Sequence, residues 1–309
     1  MNETLLALQD VVVLRQTDPR IFGMFGSKPI RALDGISLSL NRGETLGVMG
    51  GSGSGKSTLA EVAALRLAPS RGRVLVQGQD PARLSGDDRK KLRRRLQIIR
   101  QDARDSLDME QTVARQFQEL LRHAGLPESE ARIAGVLEQV GLPSQFLSRT
   151  PAEMSGGQQQ RLAIARALAV NPVLVAGDEP VSGVDPHLQL EMLRLLEQVQ
   201  KQQNVSFLMV SHDRRVIGRL AHRVAVLCEG RLCELGSAAE VLTSARHPYS
   251  RLFLGQEPGG MPGDEDQAGS ASVGCPWVNH CSLAREACKR QMPDLREVAP
   301  GHAAACHAL

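Results

Sequence analysis

Leu46-Gly47-Val48-Met49, followed at once by Gly50-Gly51-Ser52-Gly53-Ser54-Gly55-Lys56-Ser57, is the stretch whose reading decides the fold. The eight residues fit G-x-x-x-x-G-K-[ST] in full, after an apolar strand and before a helical pattern of Leu59, Val62 and Leu65. Chemistry demands those residue types there. Glycines let successive backbone N–H groups converge on phosphate oxygens, and the helix N-terminus adds a favourable dipole. Lys56 is expected at the β- and γ-phosphates of a bound nucleotide and the Ser57 hydroxyl on Mg2+. A chance Gly/Ser-rich turn would have no reason to sit between a strand and a helix.

Such a loop works with an acidic residue that ends a second buried strand. Val173-Leu174-Val175-Ala176-Gly177-Asp178-Glu179 supplies it, with Asp178 placed for the magnesium shell and Glu179 one residue beyond to polarise an attacking water. Alone, an Asp-Glu pair after an apolar strand would read as a helix cap or surface pair. Downstream of a phosphate loop it reads as catalytic.

Around these two anchors the chain alternates. Residues 5–14 and 36–49 read as strands, the second with a turn at Asn41-Arg42-Gly43, and 16–31 between them reads as a loop. Short strands are expected at 73–77, 96–99, 173–176, 205–210 and 223–227, with helices at 186–203 and 214–221 and a mainly helical stretch from 110 to 169. Apolar strands of this kind, buried on both faces and separated by helices, predict a layered α/β fold. The net charge of +3 does not call for a polyanion partner, and eight aromatic residues are too few for a single-strand stacking platform, so no nucleic-acid partner is expected. No apolar run reaches the ~18 residues of a membrane span, and the opening Met-Asn-Glu-Thr lacks the basic and apolar regions of a signal peptide.

Ser155-Gly156-Gly157-Gln158, continued by Gln159-Gln160-Arg161, closely resembles the signature motif of ABC-type ATPases, as does the Leu162–Leu168 run after it. The resemblance covers roughly residues 5–240. It implies a P-loop fold with a RecA-like core, an antiparallel β subdomain and a helical signature subdomain, here about 103–165, within a nucleotide-binding domain spanning 1–246. It also implies ATP and Mg2+ as ligands, with Gly50 through Ser57 and Thr58 on the nucleotide. Ser155, Gly156, Gly157 and Gln158 would face the ATP held by an opposing subunit. Gln101 resembles the glutamine that senses magnesium and the attacking water, Ser57, Gln101 and Asp178 forming the magnesium set. Ser182-Gly183-Val184-Asp185 resembles the loop that crosses between subunits, with Ser182 and Asp185 as its polar members. His212 resembles the switch histidine on the γ-phosphate, so that Glu179, His212 and Gln101 are the implied catalytic group. Two positions depart from the pattern. Arg15 stands where an aromatic normally stacks on adenine; its guanidinium plane could take that role, or Phe22 or Phe25 could fold back. Arg100 stands where a Phe commonly precedes the glutamine. The basic run Arg89–Arg95 reads as a solvated helix face.

His247-Pro248-Tyr249-Ser250 resembles the His-Pro-Tyr motif of ATPase subunits in oligopeptide, dipeptide and nickel importers. Residues 255–274, with their glycines, prolines and acidic triplet, read as a linker, making 247–274 a motif-plus-linker segment. Beyond lies a 275–309 extension, too short for its own core without a staple, carrying Cys275, Cys281, Cys288 and Cys306. Four thiolates suit a tetrahedral Zn2+ site or an iron–sulfur cluster. Free thiols are a third option, and disulfides are disfavoured among the reduced thiols around a cytosolic ATPase. In some related importer ATPases a similar tail binds a [4Fe–4S] cluster, the form expected here, with Zn2+ as the alternative. Cys228 and Cys233 read as plain body residues.

The resemblance implies an ATP-hydrolysing subunit of a peptide importer, peripheral on the cytoplasmic face of the inner or plasma membrane. Its expected partners are two permease subunits, a second and non-identical ATPase subunit, and an extracytoplasmic substrate-binding protein. A nickel or metal-chelate importer is the alternative, and a non-transport ABC ATPase a remote one.

Overall fold

Alternation of apolar and polar residues builds the first two strands, β1 (Thr4–Arg15) and β2 (Ile30–Asn41), which pair antiparallel and bury Leu6, Leu8, Val11 and Val13 against Leu33, Ile36, Leu38 and Leu40. The computed structural model describes residues 3–16, 29–182, 185–257 and 273–309. After β2 come β3 (Thr45–Met49), α1 (Lys56–Ala63), β4 (Arg71–Val76), α2 (Gly86–Arg94) and β5 (Leu96–Ile99). Three helices follow without a strand: α3 (Val113–Ala124), α4 (Glu130–Gln139) and α5 (Gly156–Leu168). The body continues through β6 (Leu174–Asp178), α6 (Pro186–Gln203), β7 (Ser206–Val210), α7 (Arg214–Leu220), β8 (Arg223–Cys228), β9 (Arg231–Ser237), α8 (Ala238–Ser244) and α9 (Pro248–Phe253). Last come α10 (Glu286–Arg290), β10 (Arg296–Ala299) and β11 (His302–Ala304).

These strands make two sheets. A small antiparallel one runs β2-β1-β4, and a larger one runs β10-β11-β9-β8-β3-β7-β6-β5. Within the larger sheet β8, β3, β7, β6 and β5 are mutually parallel, while β9 joins β8 antiparallel. The parallel core is the layered arrangement the sequence predicts, and β3 and β7 are buried at every position, as strands covered on both faces must be. One apolar core lies between α1 and the small sheet; the other joins α3, α4 and α5 to α6 and α7. Helix ends are set locally. Thr112 and Ser129 accept from backbone N–H groups at the starts of α3 and α4, and Gly125 ends α3 in the left-handed conformation. The basic run lies on α2, which has no buried residue, so it is the solvated face expected.

Two sequence expectations need correction. Ile30 and Arg31, read as loop, open β2; of the 16–31 segment, 17–28 fall outside the described residues, as do 258–272 of the linker. The cysteine tail is not a free-standing appendage. Ala303 and Ala304 of β11 pair with Leu235 and Glu234 of β9, and Cys275, Trp277 and Cys288 belong to the same core as the helices. A segment too small for its own core borrows that of the body.

Candidate functional site

The parallel strands direct their C-terminal ends to one edge, where ligands collect in open α/β sheets. From β3 the chain enters the phosphate loop. Gly50 has φ 147°, and a Cβ there would stand 2.2 Å from the Leu227 carbonyl oxygen and 2.7 Å from Ser54 Oγ, so only glycine permits this path. Lys56 Nζ donates to the carbonyl oxygens of Gly50 and Gly51 at 2.8 and 2.5 Å. Burial lowers its pKa, against the opposing pull of Glu179 and Asp178. The loop is also braced from outside, Gly230 N–H donating to the Ser54 carbonyl at 3.0 Å and Gly51 N–H to the Tyr249 hydroxyl oxygen at 2.7 Å.

At the end of β6, Asp178 accepts a hydrogen bond from the Ser57 hydroxyl. Burial is the largest influence on its carboxyl and raises the pKa, with the nearby Glu179 adding to the rise and Lys56 opposing it. An oxygen-rich pair of this kind suits a hard divalent cation, which would supply the missing positive charge. Glu179 turns the chain through the left-handed region at φ 51°, a conformation a non-glycine residue keeps only when its surroundings impose it. Its N–H donates to the Val210 carbonyl, and its own carbonyl accepts from both the N–H and the hydroxyl of Ser182. The Glu179 carboxylate accepts from His212 Nδ1 at 2.7 Å; because a carboxylate only accepts, that nitrogen carries the proton. Lys56, Ser57, Asp178, Glu179, Ser182 and His212 thus converge, although up to 156 positions separate them in sequence.

Other sequence candidates stay apart. Ser155 caps α5 by accepting from Gln158 N–H, while Gln158 accepts from Ser155 N–H. Among the described residues no hydrogen bond or ion pair joins Ser155, Gly156, Gly157 or Gln158 to the phosphate loop. Gln101 is exposed after β5 with no side-chain hydrogen bond among the described residues. Asp185 caps α6, and Gly183 and Val184 lie outside the described residues. Arg15 pairs with Glu61 on α1, which also lies 3.9 Å from Arg100. The guanidinium offered for adenine stacking is therefore already held by a carboxylate. Phe22 and Phe25 lie outside the described residues. Two participants escape a reading by motif. Gln160 donates to the Pro180 carbonyl at 2.6 Å, tying α5 to the turn after Glu179, and Tyr249 reaches the phosphate loop. Gln160 lies inside the quoted signature, yet nothing in one sequence shows which of three consecutive glutamines reaches the Pro180 carbonyl.

In the tail Cys275, Cys281, Cys288 and Cys306 line one small cavity of ≈ 10 Å3, together with His247 and His307. Each sulfur accepts a backbone N–H, from Trp277, Leu283, Arg285 and Ala308 respectively. Burial pushes the Cys275 thiol up to about 12 and also raises Cys281, both opposed by those backbone hydrogen bonds. Among the described residues no three His, Cys, Asp or Glu side chains converge closely enough to hold one metal ion. Cys228 and Cys233 are buried body residues, Cys233 held protonated by a hydrogen bond with Cys228 and by burial. The tail is tied down beside them. Glu234, fully buried, accepts from Arg246 N–H, His247 N–H and His302 Nε2 at 2.6, 3.1 and 2.6 Å.

Residues 33–182 match the family model described as ABC transporter. The oligopeptide transport ATP-binding protein AppF of Bacillus subtilis is 35% identical over 324 residues, covering 99% of this chain and 98% of that protein. A putative peptide import ATP-binding protein of Brucella abortus is 36% identical, covering 91% of this chain and 92% of its own length. Among solved structures, the dimeric post-hydrolysis state of the ATP-binding cassette MJ0796 bound to ADP and Pi superposes with a TM-score of 0.66. That match covers 76% of this chain and 99% of the cassette at 27% identity.

Proposed function

The chain belongs to the ABC transporter family and is one of its ATPases; from that premise we propose that it hydrolyses ATP to power uptake of di- and oligopeptides through a membrane permease. The observation that carries the reading is the convergence of Lys56, Ser57, Asp178, Glu179 and His212 at the ends of β3, β6 and β7. Lys56, already drawn over the loop, neutralises phosphate charge. Ser57 and Asp178 are the pair that would hold Mg2+, which offsets charge on the triphosphate when bound. Glu179 orients and polarises the attacking water, and His212 fixes the carboxylate. Hydrolysis needs positioning and charge stabilisation more than covalent participation by the protein.

Ser155 and Gly156 are solvent-facing at a helix start and unattached to this chain's own phosphate loop, which supports a role on a nucleotide held by a second ATPase subunit. We assign Ser182 and Asp185 to the same subunit boundary and Gln101 to the water and magnesium. The second ATPase subunit is proposed to be non-identical, with two permease subunits and an extracytoplasmic binding protein completing the machine. Among the described residues no helix is long and apolar enough to cross a membrane; membership of the family is what supports peripheral action at the cytoplasmic face. The names of AppF and of the Brucella relative favour peptides over nickel or metal chelates.

For the tail we propose a [4Fe–4S] cluster on Cys275, Cys281, Cys288 and Cys306. The shared cavity and the backbone N–H on every sulfur support it, since such hydrogen bonds favour thiolate ligands and tune cluster potentials. Four thiolates would also hold a zinc ion, the alternative occupant. When bound, the cluster would cross-link four separate points of the tail. Visible absorption with iron and zinc analysis decides between the metals.

Glu179→Gln tests the catalytic assignment. Binding of Mg-ATP should persist while turnover falls about 10^2- to 10^4-fold, the usual worth of a positioned general base. Turnover within threefold of wild type would overturn it, and uptake of a labelled tripeptide against nickel by the assembled transporter tests the substrate.

A further inference from the structure

The phosphate loop has a brace that its motif does not contain. Gly51 N–H donates to the Tyr249 hydroxyl oxygen at 2.7 Å across 198 positions of sequence. That N–H belongs to the Gly50–Gly51 peptide, and the carbonyl of the same peptide, on Gly50, accepts from Lys56 Nζ at 2.8 Å. One peptide plane is thus gripped at both ends, by the tyrosine and by the lysine that meets phosphate. Rotation of the plane would break one bond or the other, so the tyrosine oxygen fixes where the lysine points.

Tyr249 is itself held by the tail. It is the chain's one tyrosine, and it packs edge-on against the chain's one tryptophan, Trp277, with ring centroids 4.9 Å apart and planes at 72°. Phe253 also stacks with it, ring centroids 5.9 Å apart. Both Tyr249 and Trp277 are almost fully buried, and burial keeps the phenol protonated well beyond its ordinary range. The Trp277 backbone N–H is the group that bonds the Cys275 sulfur. A continuous path of packed side chains and hydrogen bonds therefore runs Cys275–Trp277–Tyr249–Gly51–Lys56.

We propose that Tyr249 is a positioning residue of the phosphate loop, and that the cysteine-bearing tail sets its placement through Trp277, so that tail packing tunes the grip on nucleotide phosphates. The proposal rests on the ATP reading of the phosphate loop and is independent of what the four cysteines bind. A tyrosine that only filled the core would be replaceable by phenylalanine without effect on nucleotide.

Tyr249→Phe in the full chain keeps the ring and removes the oxygen. Mg-ATP binding, measured by titration calorimetry, should weaken roughly 3- to 10-fold, the worth of one hydrogen bond, with KM rising and kcat held within about twofold. Trp277→Ala should weaken binding to a similar extent and Trp277→Phe should restore most of it. Coupling between sites is reciprocal. Mg-ATP should therefore slow hydrogen exchange in residues 275–280 of the wild type, and Tyr249→Phe should abolish that protection. Wild-type affinity in Tyr249→Phe, or exchange in 275–280 indifferent to nucleotide, would overturn the proposal. Wild-type protein that binds no Mg-ATP would overturn the ATP reading beneath it.

Discussion

Removing the carboxylate of Glu234 should release the tail from the body. Glu234 is fully buried and receives three donors: two backbone N–H groups at Arg246 and His247, and the ring of His302, itself 2% exposed. In Glu234→Ala all three lose their acceptor. Each orphaned buried donor costs about 1–3 kcal/mol. Arg246 N–H is only part-buried and regains water, so the two buried donors set the total, about 4 kcal/mol. At about 2 °C per kcal/mol for a chain of this size, the thermal midpoint should drop by roughly 8 °C. Limited trypsin digestion reads the same event locally, because Arg285, Lys289, Arg290 and Arg296 all lie in the tail. Cutting there should accelerate before the body is attacked. His302→Ala removes one of the three donors and should cost about 1.5–3 kcal/mol, the range for a hydrogen bond to a charged group. The two substitutions should couple by at least about 1 kcal/mol in a double-mutant cycle. A midpoint shift under 2 °C in Glu234→Ala, or strict additivity with His302→Ala, would refute the anchoring role.

Gly50→Ala should abolish Mg-ATP binding, because its Cβ would stand 2.2 Å from the Leu227 carbonyl oxygen and the loop would have to leave its path; near-normal affinity by titration would contradict this. His247, the side chain capping α9, has its pKa lowered to about 4 by burial, with Glu234 opposing. The folded chain then binds fewer protons than the unfolded one, so this contribution is present above the ordinary histidine pKa and is lost as pH falls from about 6.5 towards 4. Denaturant melts across that window should show wild type losing about 3 kcal/mol relative to His247→Asn, whose side chain still caps the helix but does not titrate. Parallel pH profiles would dismiss the assignment.

The catalytic half of the site was legible because its chemistry is local. A phosphate loop needs its glycines in sequence, and an acidic pair must follow a buried strand, so Lys56, Ser57, Asp178 and Glu179 stand in recognisable strings. The parallel strands were legible too, as short runs of Val, Leu and Ile. What stayed hidden depends on contacts between distant segments. The left-handed turn at Glu179 is imposed by the Val210 carbonyl and by Ser182, and no propensity announces it in a glutamate. The bond from Gly51 to Tyr249 joins segments with no sequence relation. Docking of the tail was hidden most completely. His302-Ala303-Ala304 is too short to show a strand period, and Glu234 looks like an ordinary polar residue of an alternating strand until its three donors are in place. The ion pair of Arg15 was hidden as well, since its Glu61 partner lies 46 positions away on α1.

The hairpin of β10 and β11 has a bearing on solubility. Without it, β9 would present unpaired N–H and C=O groups beside Leu232 and Leu235, a template on which a second chain could add a strand. With it, the sheet ends instead on a four-residue strand carrying Arg296 and Glu297, short and charged enough to discourage such pairing. The tail therefore acts as a guard on the sheet margin, and protein cut back to the ATPase body should gather into aggregates even where its phosphate loop is intact.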